Sequence, residues 1–106
     1  MAIPICHEVV QELKRITGRN NPDLASMLNI LAVIHQEQGQ FEVSIHVLRE
    51  TLEIREIVFG FKHPLVASTL NHLSVLHGQC GDFKTAVPFC QRALEIRQEV
   101  RRASSN

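Results

Sequence analysis

The feature that most constrains this chain is that it repeats itself. The segment Asn21-Pro22-Asp23-Leu24-Ala25-Ser26-Met27-Leu28-Asn29 returns 42 residues on as His63-Pro64-Leu65-Val66-Ala67-Ser68-Thr69-Leu70-Asn71. The register then holds without a gap: Leu31 with Leu73, Val33 with Val75, His35 with His77, Gly39 with Gly81, Phe41 with Phe83. Leu52-Glu53-Ile54-Arg55 likewise recurs as Leu94-Glu95-Ile96-Arg97. A fixed period of this size marks an architecture of stacked supersecondary units. Run backwards, the same offset sets residues 2–18 opposite residues 44–60. The chain therefore reads as the second half of one unit followed by two whole ones. The expected organisation is a single domain over residues 1–100, followed by a disordered tail at 101–106. Within that domain a lone second helix at 1–18 precedes one unit at 21–60 and another at 63–100.

Each unit reads as two helices. Asn21 and His63 stand directly before a proline, and proline at the first helical position sacrifices no hydrogen bond. Asn21 is also a favoured N-cap. Leu28, Leu31, Ala32 and His35 recur at helical spacing, as do Leu70, Leu73, Ser74 and His77. Gly39 and Gly81 are placed to end these first helices in the left-handed conformation. Second helices starting near Glu42 and Asp82 carry Ile45, Leu48 and Leu52, then Val87, Cys90 and Leu94, on one face. Pro88 falls early in the last helix and predicts a bend rather than a break. A helical hairpin of this size cannot bury its own apolar face, so it must stack on neighbours.

Composition removes several function classes. Eleven basic and 11 acidic residues give a formal net charge of zero, whereas nucleic-acid and anionic-membrane binders carry a basic excess. No apolar run approaches the ~20 residues that span a bilayer. The N-terminal Met1-Ala2-Ile3-Pro4-Ile5 lacks the pattern of a signal peptide. The odd set Cys6, Cys80 and Cys90 shows no CxxC spacing, and reduced thiols in a cytoplasmic protein are expected.

The small and aromatic residues of each unit carry a resemblance. One copy reads Leu28, Leu31-Ala32, His35, Gly39, Phe41, Ser44 and Thr51; the next reads Leu70, Leu73-Ser74, His77, Gly81, Phe83, Ala86 and Ala93. This is similar to the tetratricopeptide pattern, with histidine in place of tyrosine and Thr51 in place of alanine. The ordinary repeat has about 34 residues, and this one is longer. Its extended linker, together with Ala93-Leu94-Glu95-Ile96-Arg97, Met27-Leu28-Asn29-Ile30-Leu31-Ala32 and Ala86-Val87-Pro88-Phe89-Cys90, resembles the kinesin light chains over residues 2–100. The matching part would be the end of that family's first repeat and all of its second and third. The resemblance implies an all-α fold of about five helices, in tetratricopeptide-type hairpins stacked as a short right-handed solenoid. It further implies a cargo-binding adaptor module of microtubule-based transport, and neither an enzyme nor a cofactor-bearing protein. The heptad coiled coil through which that family binds its heavy chain is not in these residues, so no motor association through this segment is expected.

In such a solenoid the first helices line a concave groove. Asn29 and Asn71 each follow a repeat leucine and point towards it, with Ser26, Val33, Ser68, His72 and Val75 on the same face. An asparagine amide offers two donors and an acceptor, enough to hold an extended peptide by its backbone. The resembled family takes acidic peptides bearing an aromatic residue, using groove asparagines and basic residues. Arg55 and Arg97 match its basic positions near the ends of second helices. Gln36 and Gly78-Gln79-Cys80 stand where further basic residues would be.

His35 and His77 sit in equivalent tyrosine slots and are expected to be packed side chains. No HExxH or comparable ligand spacing occurs among the six histidines, and no metal is expected. Cys6 and Cys90 are equivalent and expected to act as small buried hydrophobes, while Cys80 beside a turn glycine is expected to be exposed. No histidine is placed to activate a thiol, so catalysis is not expected. Arg101-Arg102-Ala103-Ser104 has the form basophilic kinases accept and makes Ser104 a candidate phosphosite. Apolar residues at the two ends, including Ile3, Phe89, Ile96 and Val100, suggest an alternative role in weak end-to-end self-association.

Overall fold

The computed structural model describes residues 2–18 and 20–104, with the side chains of residues 8–16, 18 and 20–104. It is an all-α stack of α1 (Ala2–Thr17), α2 (Pro22–Glu37), α3 (Phe41–Phe59), α4 (Pro64–Gln79) and α5 (Phe83–Ser104). Each helix packs on the next in sequence, α1 on α2 through to α4 on α5. The slab that results measures 43 × 34 × 17 Å.

Local chemistry sets the helix ends. The Asn21 side chain accepts from the Asp23 backbone N–H at 2.7 Å and so caps α2. His63 does the same for α4 with its ring: Nδ1 accepts from Leu65 N–H at 3.1 Å, while the ring stacks on Phe59 at 4.4 Å. That cap was not evident from the sequence, because histidine is not an ordinary capping residue. Gly39 and Gly81 take φ of 78° and 80° at the turns between first and second helices, a region that costs a side-chain-bearing residue strain. The last helix continues through Pro88 to Ser104. The tail expected to be disordered from residue 101 is therefore helical over four of its residues, while Ser105 and Asn106 lie outside the described residues.

The core runs through the first helices and repeats in register. Leu24, Ala25, Leu28, Leu31 and Ala32 of α2 are buried, as are Val66, Ala67, Leu70, Leu73 and Leu76 of α4. Two polar features repeat with their parts exchanged. Ser44 Oγ on α3 donates to the Ala32 carbonyl of α2 at 2.7 Å; in the next unit Ser74 Oγ on α4 donates to the Ala86 carbonyl of α5 at 2.7 Å. The hydroxyl has changed helix, yet the bond lies at the same crossing. An ion pair between successive second helices behaves likewise. Lys14 of α1 pairs with Glu50 of α3 at 2.7 Å, and 42 residues on Glu56 of α3 pairs with Arg92 of α5, with the charges reversed.

Each second helix uses two faces, and α5 has a partner for only one of them among the described residues. On α3, Leu48 and Leu52 are 0% and 9% exposed because α4 covers them. Their counterparts on α5 are Cys90, which is exposed, and Leu94, 55% exposed. Cys90 is thus not the buried hydrophobe expected from its register, since no helix covers that face. Val87 is exposed too, whereas Ile96 is buried and Phe89 and Val100 pack against the core rather than lying open. The exposed large apolar residues of α5 are Phe83, Val87 and Leu94. At the other end, Val9 and Ile16 of α1 are exposed, and the side chains of Ile3 and Cys6 lie outside the described residues.

The same substitution at two register-equivalent leucines tests this account. Leu52→Ala is expected to lower unfolding free energy by about 2–3 kcal/mol, and Leu94→Ala by about 0.5 kcal/mol or less. Urea titration followed by circular dichroism checks both. Equal losses would contradict the uncovered face of α5.

Candidate functional site

The solvent-facing sides of α2 and α4 lie beside each other, joined by hydrogen bonds between Gln36 of α2 and both His72 and Gln79 of α4. Asn29 and Asn71 occupy the same register on the two helices and are half-buried, with Ser26 and Ser68 exposed one turn earlier. Val33 and Val75, one turn later, are 37% and 47% exposed. The Ser26 hydroxyl donates back to the Pro22 carbonyl at 3.2 Å. Neither asparagine side chain has a hydrogen-bond partner among the described residues.

A polar bridge crosses between the two helices on this face. His72 Nε2 lies 2.7 Å from Gln36 Oε1, and Gln36 Nε2 donates to Gln79 Oε1 at 3.3 Å. An amide oxygen only accepts, so the bond requires the His72 tautomer carrying its proton on Nε2. Burial pushes the His72 imidazole below its ordinary value of 6.5, favouring the neutral ring. Gln36 and Gln79 were seen in the sequence only as missing basic residues. Their function as struts depends on spacing between helices in adjacent units, which composition does not disclose.

The two arginines fare differently. Arg55 does not line an open groove: it is 7% exposed, and its Nη1 donates to Thr69 Oγ1 of α4 at 2.7 Å. Thr69 Oγ1 in turn donates a hydrogen bond to the Leu65 carbonyl at 2.8 Å. The reason is the α3–α4 packing, which closes over this position. Burial lowers the guanidinium pKa from its ordinary value. Arg97 is exposed on α5 because no helix follows it there among the described residues. The register-equivalent positions between α1 and α2 are Leu13 and Met27, both packed against the core. An apolar pair in one junction is thus an arginine–threonine pair in the next.

The tyrosine-slot histidines are each 7% exposed. His35 Nδ1 lies 2.6 Å from Gln40 Oε1; His77 Nδ1 lies 3.6 Å from Asp82 Oδ2, with its ring stacked on Phe89. Asp82 is held below the ordinary carboxylate value chiefly by hydrogen bonding to Thr85, with a further contribution from His77. A cleft of about 340 Å³ lined by Glu42, Ile45, His46, Arg49, His77, Cys80 and Asp82 opens beside this turn, away from the asparagines. Among the described residues no three histidine, cysteine or acidic side chains are grouped to hold a metal ion. Ser104 is exposed on the last turn of α5 and its hydroxyl donates to the Val100 carbonyl at 3.0 Å.

Residues 23–99 match the tetratricopeptide repeat. The chain belongs to the tetratricopeptide-repeat family. Tetratricopeptide repeats bind protein partners, and this chain is a protein-interaction module of that family. Solved structures agree on the stacking. BtubC (BKLC) from P. vanneervenii superimposes with a TM-score of 0.87 at 28% identity, over 92% of this chain and 39% of that one. A putative kinesin light chain from Podosopora anserina, with nearly identical tetratricopeptide-like repeats, gives a TM-score of 0.83 at 18% identity, over 93% of this chain and 47% of its own. This chain accordingly spans less than half of either protein. It resembles the kinesin light chains in fold and in the repeat motifs quoted above. Among the described residues no helix is long and apolar enough to cross a membrane.

Two outcomes follow from this geometry. Thr69→Val removes the hydroxyl that, among the described residues, the buried Arg55 guanidinium bonds to, and is expected to destabilise by about 1.5–3 kcal/mol in urea titration. His72 has a lower pKa folded than unfolded, so the unfolded chain takes up the proton first as pH falls below 6.5. Stability conferred by the neutral ring is full above that value and is lost as pH drops towards the folded pKa. Thermal melts between pH 7.5 and 5 should show this decline, with a shallower slope in His72→Gln.

Proposed function

We propose that the chain is a peptide-binding adaptor module that holds an extended peptide along the concave face of α2 and α4, in the manner of part of a kinesin light-chain cargo domain. One observation carries this reading. Asn29 and Asn71 stand at the same register of successive first helices, half-buried and with their amide groups unengaged by the described residues. A half-buried amide without a partner is an open hydrogen-bonding site. Two in line, repeated by the solenoid, match the repeating donors and acceptors of an extended backbone. Ser26, Ser68, His72 and Val33 with Val75 would flank the peptide. Arg55 contributes through the α3–α4 junction instead, and Arg97 stands on the outer face of α5. The likeness to light-chain repeats supports an adaptor role in the cytoplasm, linked to microtubule-based transport as part of a longer chain.

The second reading, self-association through the ends, has the exposed Val87 and Leu94 of α5 and Val9 and Ile16 of α1 in its favour. Both ends, however, are second-helix faces. In this fold such a face is covered by a first helix, and the described first helices already have theirs packed. End-to-end stacking of two copies would bring together surfaces that are not complementary in type.

The test is selective loss. Asn29→Ala combined with Asn71→Ala should abolish peptide binding in fluorescence-anisotropy titration of a labelled peptide while leaving helicity and sedimentation behaviour unchanged. Undiminished binding by the double variant would overturn the groove reading.

A further inference from the structure

Charge is distributed over this molecule by helix type. α1, α3 and α5, the second helices, carry four, six and seven residues of the Asp, Glu, Lys and Arg class; α2 carries two and α4 none. The two on α2, Asp23 and Glu37, lie in its first and last turns, outside the stretch that bears Ser26, Asn29, Val33 and Gln36. Yet this face is not hidden. Ser68, Val75 and Gln79 of α4 are exposed, and Asn71 and His72 are half-buried. Water-facing helices ordinarily carry charged residues for solubility. A face that is exposed, partly apolar and uncharged has the composition of an interface centre, where charged residues are depleted.

From this we infer that the α2–α4 face takes an uncharged peptide: an extended segment with aliphatic side chains, recognised through its backbone amides and lacking acidic or basic residues where it lies on the groove. The inference rests on the groove reading above and fixes the ligand class that reading leaves open. Val33 and Val75 supply the apolar contacts, and Asn29 and Asn71 bond the backbone. Gln36, Gln79 and His72 are bonded to one another across the floor. They brace the two helices and offer a neutral surface. A carboxylate or ammonium desolvated against this surface would meet no counter-charge, and an uncompensated buried charge costs several kcal/mol. Arg55 is buried and spent on Thr69 beneath α4. Without paired charges at the contact, long-range steering and its salt dependence are also absent.

The experiment is selection from a library of random nonapeptides displayed on phage against the immobilised full chain. The Asn29→Ala, Asn71→Ala double variant, verified as folded by circular dichroism, provides the counter-selection. The expected result is enrichment of sequences rich in Val, Leu, Ile, Ser, Asn and Gln and depleted of Asp, Glu, Lys and Arg. For a capped synthetic winner, affinity should change less than about twofold between 50 and 500 mM salt. A third arm uses Val75→Glu, a change at an exposed position, which should shift enrichment towards Lys- and Arg-bearing peptides. Enrichment of acidic peptides by the native chain, with affinity that falls steeply with salt, would overturn the inference while leaving the groove in place. Enrichment that the double variant retains would overturn the groove reading itself, and the ligand class with it.

Discussion

The structure depends on one packing interaction, that of each second helix against the first helix of the following unit. A hairpin such as α2–α3 buries the inner sides of both helices, but α3 has a second apolar face, Leu48 and Leu52, that only α4 covers. The contrast with α5 shows how much rides on that contact. There the same register positions, Cys90 and Leu94, are open to water. Burying roughly one leucine side chain is a gain of about 1.5–3 kcal/mol, so a single junction is comparable with a large fraction of a small domain's net stability. The α3–α4 junction also fixes the spacing of α2 and α4, on which the alignment of Asn29 with Asn71 depends. Stability and the proposed binding surface thus arise from one interface.

Repetition preserves positions and interactions while letting the chemistry vary. Serine donates from α3 in one unit and from α4 in the next, and the carbonyl it meets changes accordingly. A lysine–glutamate pair becomes glutamate–arginine at the same place. Leu13 and Met27 give way to Arg55 and Thr69. Each exchange keeps a pair complementary while making one junction chemically unlike the other. Placing Arg55 against Met27, the register equivalent of Thr69, would strand a guanidinium on a thioether.

Much of this was legible in the sequence, for definable reasons. The period located the two units, the prolines and glycines located the helix ends, and the leucines of α2 and α4 are buried where helical spacing puts them. All of these are local or periodic signals. What escaped were relations between units, namely the burial of Arg55 by α4 and the His72–Gln36–Gln79 bridge, together with one local feature, the ring cap of His63. The exposed Cys90 escaped for a related reason, since register gives the face a residue lies on but not whether anything covers that face. Helicity continuing through Arg101 to Ser104 reflects propagation of a formed helix over residues that show no apolar periodicity.

The claim on which the account turns is that the ligand lies along α2 and α4 rather than on the open ends. The direct measurement is titration of the ¹⁵N-labelled chain with an uncharged, end-capped nonapeptide, followed by two-dimensional NMR. The account predicts that the side-chain amide signals of Asn29 and Asn71 move together with the backbone amides of Val33, His72 and Val75. Shifts confined to Val87, Cys90 and Leu94 on the outer face of α5 would contradict it.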